Sequence, residues 1–286
     1  MGFNTSDIRF FLSTKHVLKL DPRTLIVGHQ NFTPSIGLLV FLKSKKLITD
    51  WKHPVFIDDF LVCSGVRTQD YLDFSEYEGA SILHDLNEPI PGELREVYDL
   101  VIEAGSLEHV PDFLTGFENV KSMVKIGGHL MIISPANNFL GHGCYQLSPE
   151  IFFRGLSTSQ GFKINFFMLH QEVTFGGKWF TVPDSQDLGQ RVNIQSKRPT
   201  YICVMATKIG VASSKMQNQS DYELLWNGET KASPLGQAYN DSPYILKRII
   251  YFWVLKPRYI WKSKKVLRKI STKGLLRLPQ HENLQA

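Results

Sequence analysis

The chain predicts an α/β fold: a mostly parallel sheet with helices packed on both faces. Short apolar runs such as TLIV (24–27), YDLVIEAG (98–105) and GGHLMIISP (127–135) lack the alternation of a half-exposed strand and read as buried on both sides. Between them lie stretches with helical spacing, above all FLTGFENVKSMVK, where Phe113, Leu114, Phe117, Val120 and Val124 recur on one face. Runs of the two kinds alternate along the chain, and that order builds a parallel sheet through crossover helices.

The elements follow in order. Residues 1–23 form a leading segment in which FFLSTKHVL suits a short helix, and Thr24 to Val27 is the first buried strand. SIGLLVFLKSKKL is expected to be helical from near Ser35. Residues 50–70 carry no clear period. YLDF, ASILHDLN and YDLVIEAG are brief strands ending in Asp, Asn or Glu, and GGHLMIISP is a strand stopped by Pro135. SPEIFFRGL is a helix capped by Ser148 with Pro149 as its first residue. KINFFMLHQ and TYICVMATK are separated by polar chain without a clear helix, which predicts an antiparallel closing pair at the sheet edge. Three segments result: an α/β domain over 1–208, a polar linker or covering segment over 209–243 in which DYELLW can dock on the body, and a basic tail over 244–286.

Composition narrows the function classes. With 286 residues, 43% hydrophobic and 21% charged, the chain is that of an ordinary globular protein. Cys63, Cys144 and Cys203 are too few and too scattered for a disulfide framework or a CxxC zinc site, so a reducing, cytoplasmic setting and no metal are expected. No secretory signal is expected at the start. The net charge of +5 is uneven, because residues 242–286 hold eleven Lys or Arg against one acid, Glu282. The body is therefore mildly acidic and the tail strongly basic.

The segment YDLVIEAGSLEHV…FENVKSMVKIGGHLMIISP carries an acid-led apolar strand, a Glu-His turn, an amphipathic helix and a Gly-Gly strand ending in Pro. In this it resembles the class I S-adenosylmethionine-dependent methyltransferases, continuously from about Tyr71 to Phe153 and through the edge strands to Lys208. The resemblance implies a Rossmann-like, seven-stranded, mostly parallel sheet with an antiparallel edge strand. It also implies S-adenosylmethionine lying across the carboxyl ends of the first strands, where open α/β sheets bind their ligands. Gly28 then matches the first glycine of the loop after the first strand. That loop departs from the family in continuing with His29, Gln30 and Asn31 instead of more glycine. Either it takes a wider path and turns polar side chains toward the methionine carboxylate, or the pocket is partly closed. Asp73 matches the ribose-binding acid, with Glu76 and Glu78 competing for the role. Asp85 matches the acid near the adenine amino group, with Leu86 as an apolar wall. Glu103 and Gly105 lie where the family faces cofactor and substrate. EAGS after the fourth strand lacks an Asn/Asp-Pro-Pro-Tyr motif, which argues against methylation of base amines. Glu108 and His109 read as structural parts of the turn.

The loop NNFLGHGCYQLSPE (137–150) is expected at the same end of the sheet. Glycines flank His142, whose imidazole suits proton removal near neutral pH. His142 is thus the candidate general base, with Tyr145 and Asn138 positioning a small-molecule or sugar- or lipid-linked acceptor. The competing reading is that the loop only shapes the pocket, and Cys144 is read as a packed small residue. In YILKRIIYFWVLKPRYIWKSKKVLRK (244–269) aromatics and aliphatics alternate with cations. A helix on an anionic membrane surface, with Trp253 and Trp261 at headgroup depth, is the first expectation for it. A helix packed on the body comes second and nucleic acid last, giving a cytoplasmic protein peripheral at a membrane. The alternative function is a methyltransferase fold without catalysis, serving as a membrane-surface scaffold.

Overall fold

The computed structural model describes residues 2–49, 56–66, 69–171, 178–190, 192, 194, 196–217, 219–228 and 250–252. A short parallel pair, β1 (Phe3–Asn4) with β3 (Phe32–Thr33), ties the start of the chain to the loop after β2 (Thr24–Val27). Helix α1 (Thr5–Thr14) begins where Asn4 accepts from the amides of Ser6 and Asp7, while Asp7 accepts from the Asn4 amide in return. It starts five residues before the expected FFLSTKHVL helix, because that cap supplies a start the apolar pattern does not show. Helices α2 (Ile36–Ser44) and α3 (Asp58–Cys63) precede strands β4 (Gln69–Asp73) and β5 (Ile82–Leu83). Strand β6 (Tyr98–Ala104), helix α4 (Phe113–Met123) and strand β7 (Val124–Asn137) form the next crossover unit. Helix α5 (Pro149–Gly155) leads to β8 (Phe162–Gln171), β9 (Lys178–Thr181), α6 (Ser185–Leu188) and β10 (Thr200–Lys208). Helix α7 (Ser220–Trp226) and strand β11 (Ile250–Phe252) complete the described elements.

The main sheet runs β11-β9-β8-β10-β7-β6-β2-β4-β5. From β5 to β7 every neighbour is parallel, and from β7 to β11 every neighbour is antiparallel. The expected seven strands are present with their antiparallel closing pair, and β9 and β11 widen that edge. Alternate residues feed two cores. Leu25, Val27, Val101, Leu130, Ile132, Ile202 and Val204 face α4 and α5, packing on Phe113, Phe117 and Phe152. Ile26, Leu100, Ile102, Met131, Ile133, Cys203 and Met205 face α1, α2 and α3, packing on Phe10, Phe11, Leu42 and Phe60. Each such side chain, fully withdrawn from water, contributes about 1.5–3 kcal/mol. Burial on both faces is why these strands read as unbroken apolar runs.

Two expectations are corrected. Pro135 does not end β7, which continues to Asn137 with Pro135 opposite Tyr201 of β10. The tail was expected to be helical from residue 244, but Ile250–Phe252 pairs antiparallel with β9, from Thr181 to Trp179. The polar groups of an open strand edge offer a ready partner to an Ile-Tyr-Phe run. The remaining features of the basic tail, Trp253, Pro257 and Trp261 among them, lie outside the described residues. Among the described residues, no helix is long and apolar enough to cross a membrane.

Candidate active site

Strand order reverses at β2: the chain goes outward to β4 and β5, then returns to the other side of β2 as β6. That reversal opens a crevice at the carboxyl ends of the strands. A cavity of about 380 Å³ occupies it, lined from β2 by Gly28, His29 and Gln30, from β4 by Asp73 and Phe74, from β5 by His84, Asp85 and Leu86, and from the turn after β6 by Gly105, Ser106 and His109. The volume falls within the range of small-molecule sites.

Gly28 turns the chain at φ +71° while its amide donates to the Leu72 carbonyl at 2.8 Å. A Cβ there would stand 2.9 Å from Ser106 Oγ and 3.2 Å from Gln30 Nε2, so only glycine fits. His29 is held by its neighbours. Its ring stacks on Phe56 with centroids 3.8 Å apart, Nδ1 bonds the Glu78 carbonyl at 2.6 Å, and Nε2 lies 2.9 Å from Asp58 Oδ2. Asp58 also accepts from the Tyr71 hydroxyl, and burial together with that bond raises the phenol's pKa. Gln30 is buried, and its Nε2 donates to the Val27 carbonyl at 3.0 Å. Its Oε1 is buried without a partner. The loop after β2 is therefore braced by side chains, with the buried Gln30 Oε1 left without a partner among them.

Asp73 ends β4 with Oδ1 accepting from the Phe74 amide at 2.6 Å and the Ser75 amide at 3.4 Å. Phe74, 75% exposed, stands beside it. Asp85 accepts through Oδ1 from the backbone and side-chain nitrogens of Asn87, bonds that hold its carboxyl below the usual range. Leu86 is buried against the core while lining the cavity. Of the cofactor residues expected from the sequence, all but Glu103 meet at this cavity. Glu103 is fully buried, and its Oε1 accepts from the amides of Gly105, Ser106 and Leu107 at 3.1, 2.6 and 3.0 Å. It shapes the turn that carries Gly105 and Ser106 to the crevice. Burial raises its pKa against the pull of those three amides.

The three expected catalytic residues do not line the cavity. Asn138 donates to the carbonyls of Ser196 and Arg198 at 3.2 and 2.8 Å, and the Tyr145 hydroxyl donates to the Pro111 carbonyl. Both side chains are thereby committed to backbone. Cys144, expected to be packed, is exposed. His142 stands behind His109, their rings 5.0 Å apart and edge to face. His142 Nε2 lies 3.7 Å from Oε1 of Glu108, which is fully buried. Burial, then the nearby Glu103, pushes the Glu108 carboxyl up to about 8. Burial, then His142, lowers the His109 pKa. The loop holding His142 is pressed onto this turn: the Cys144 amide donates to the Glu108 carbonyl at 2.6 Å, and a Cβ at Gly143 would stand 2.8 Å from that same oxygen. The sequence reads Glu108 and His109 as parts of the turn; the fold adds that they stand beside His142 of the loop after β7, a grouping that sequence order does not reveal.

No family model and no curated protein matches the chain. Among solved structures, the N-methyltransferase NodS of Bradyrhizobium japonicum, crystallised with S-adenosylhomocysteine, aligns at 13% identity and TM-score 0.40, covering 71% of this chain and 84% of its own. A methyltransferase of Thermotoga maritima aligns at 13% identity and TM-score 0.39, over 70% of this chain and 91% of its own. The 1,6-didemethyltoxoflavin-N1-methyltransferase of Burkholderia thailandensis gives 13% and 0.39, over 71% and 77%. Likeness at this level assigns no chemistry, which rests on the chain's own residues.

Proposed function

We propose that the chain is an S-adenosylmethionine-dependent methyltransferase acting on a small molecule or a sugar- or lipid-linked hydroxyl. One observation carries the reading: Gly28, Asp73, Asp85, Leu86 and Gly105, far apart in sequence, converge on one cavity at the point where strand order reverses. The residues suit the cofactor's parts. Asp73 keeps one carboxylate oxygen clear of its turn bonds, and a carboxylate suits the adjacent hydroxyls of a ribose. Asp85 similarly retains an oxygen for the adenine amino group, Leu86 gives the ring an apolar wall, and exposed Phe74 offers it a face. The unpartnered Gln30 Oε1 suits the ammonium of the methionine portion. The bound cofactor supplies an activated methyl group on a sulfonium. The protein's part is to align an acceptor for in-line attack and to remove its proton. His29, His84 and His109 all line the cavity, and His109 alone of the three is backed by His142 and Glu108.

The test is calorimetric binding of S-adenosylmethionine and S-adenosylhomocysteine to wild type and Asp73→Asn. Charge-assisted hydrogen bonds contribute about 1.5–3 kcal/mol, so the variant weakens binding roughly 10- to 100-fold. Absence of binding to the folded wild type at millimolar ligand would refute the reading.

A further inference from the structure

We propose that Glu108, His109 and His142 form a binding site for one divalent transition-metal cation at the edge of the cavity. The three side chains bring one ligand atom each to within 4.8 Å of one another. Glu108 is fully buried, yet neither carboxylate oxygen has a hydrogen-bond partner. His142 Nε2 is likewise buried and unpartnered. A carboxyl group so withdrawn from water, protonated or not, is costly unless a cation or a hydrogen-bond partner meets it. A shared proton does not solve this, because 3.7 Å between Glu108 Oε1 and His142 Nε2 is beyond hydrogen-bond reach. It is close to what a metal requires: bonds of about 2.0–2.2 Å in a tetrahedron set ligand atoms roughly 3.3–3.6 Å apart. The widest separation must close by about 1 Å, which rotation of the exposed His109 side chain supplies. Two imidazoles and one carboxylate select a borderline cation such as Zn²⁺ or Co²⁺ over Mg²⁺, which prefers oxygen alone.

Three protein ligands leave a coordination position open, and His109 lines the cavity. Resting on the methyl-transfer reading, this deepens it: the acceptor is an oxygen compound bound through its hydroxyl to the metal. The hydroxyl loses its proton to solvent, its oxygen forms the new bond to the methyl carbon, and the carbon–sulfur bond breaks with its electron pair returning to sulfur. His109 and His142 are then ligands, and the metal lowers the acceptor's pKa in place of a protein base.

The experiment is calorimetry of Zn²⁺, Co²⁺ and Mg²⁺ into the chelator-stripped 286-residue chain, with metal content measured after gel filtration. One equivalent of Zn²⁺ or Co²⁺ is expected, with Mg²⁺ at least 100-fold weaker. Glu108→Gln and His142→Ala are each expected to lose at least 10-fold in affinity while keeping the wild-type circular dichroism. Cys144→Ser, which removes the nearest thiol, should bind as wild type. No stoichiometric binding, binding unchanged in His142→Ala, or binding abolished in Cys144→Ser would each overturn the proposal. S-adenosylhomocysteine binding to the same samples keeps the two readings apart: its absence with metal retained indicts the cofactor alone.

Discussion

Gly28→Ala probes the crevice through a single methyl group. At φ +71° an alanine costs about 1–2 kcal/mol over glycine. Its Cβ, 2.9 Å from Ser106 Oγ, must also push that hydroxyl away from the Val27 carbonyl it bonds at 3.0 Å, at a further cost of about 1 kcal/mol. The sum is about 2–3 kcal/mol, which lowers Tm by roughly 4–12 °C for a domain of this size. Because the same Cβ enters the cavity wall, S-adenosylhomocysteine affinity should fall as well. Gly37→Ala is the control. It lies within α2 with nothing inside 4 Å of its Cβ, so alanine there should raise stability by about 0.5–1 kcal/mol. Differential scanning calorimetry and binding calorimetry read both. A Gly28→Ala protein melting within 1 °C of wild type, with undiminished affinity, would refute the turn geometry and the cavity assignment together.

Two further outcomes test the frame that holds the site. Arg154 is buried and reaches Glu150 at 3.3 Å as well as Asp184 and Gln186, so Arg154→Ala strands two carboxylates and should cost about 3–5 kcal/mol in urea denaturation. A loss under 1 kcal/mol would show that the network bears no weight. His170 is buried with Nε2 3.0 Å from Ser6 Oγ, and burial, then Arg9, pushes its pKa down to about 4. Its folded pKa is depressed, so its contribution is full above the unfolded value of about 6.5 and is lost as pH falls toward 4. Between pH 7 and 5 the wild type should therefore lose about 2 kcal/mol that His170→Gln does not, as measured by denaturant midpoints. Parallel pH profiles for the two proteins would contradict the assignment.

What the sequence revealed and what it hid divide along physical lines. Local signals were readable: the cap at Ser148 with Pro149 behind it, the period of Phe113, Phe117 and Val120, and the apolar runs of β2, β6 and β7. The meeting of Gly28, Asp73, Asp85 and Gly105 at one crevice was readable too, because each stands at or just past the end of a strand and the strands' parallel order brings their ends together. Long-range partners were not. His29 is braced by Phe56 and Asp58, from a stretch without period, so its role could not be read from its own loop. Glu103 looked like a ligand because an acid ends the strand, but only the folded turn reveals three amides that use it. β9 and β11 escaped because each is short and defined by the edge it completes rather than by a pattern of its own.

The contact between Ser6 and His170 also orders events in time. The two residues lie 164 positions apart, and Phe10, four residues beyond Ser6, stacks on Trp179 with centroids 6.1 Å apart. At about 5–20 residues per second, a ribosome needs roughly 8–30 s to make the chain between them. Phe11 of α1 meets Phe60 early, but the side of the helix that carries Ser6 and Phe10 waits on strands not yet made. An amino-terminal fusion that hinders docking should accordingly harm the yield of folded protein more than the same fusion at the carboxyl end.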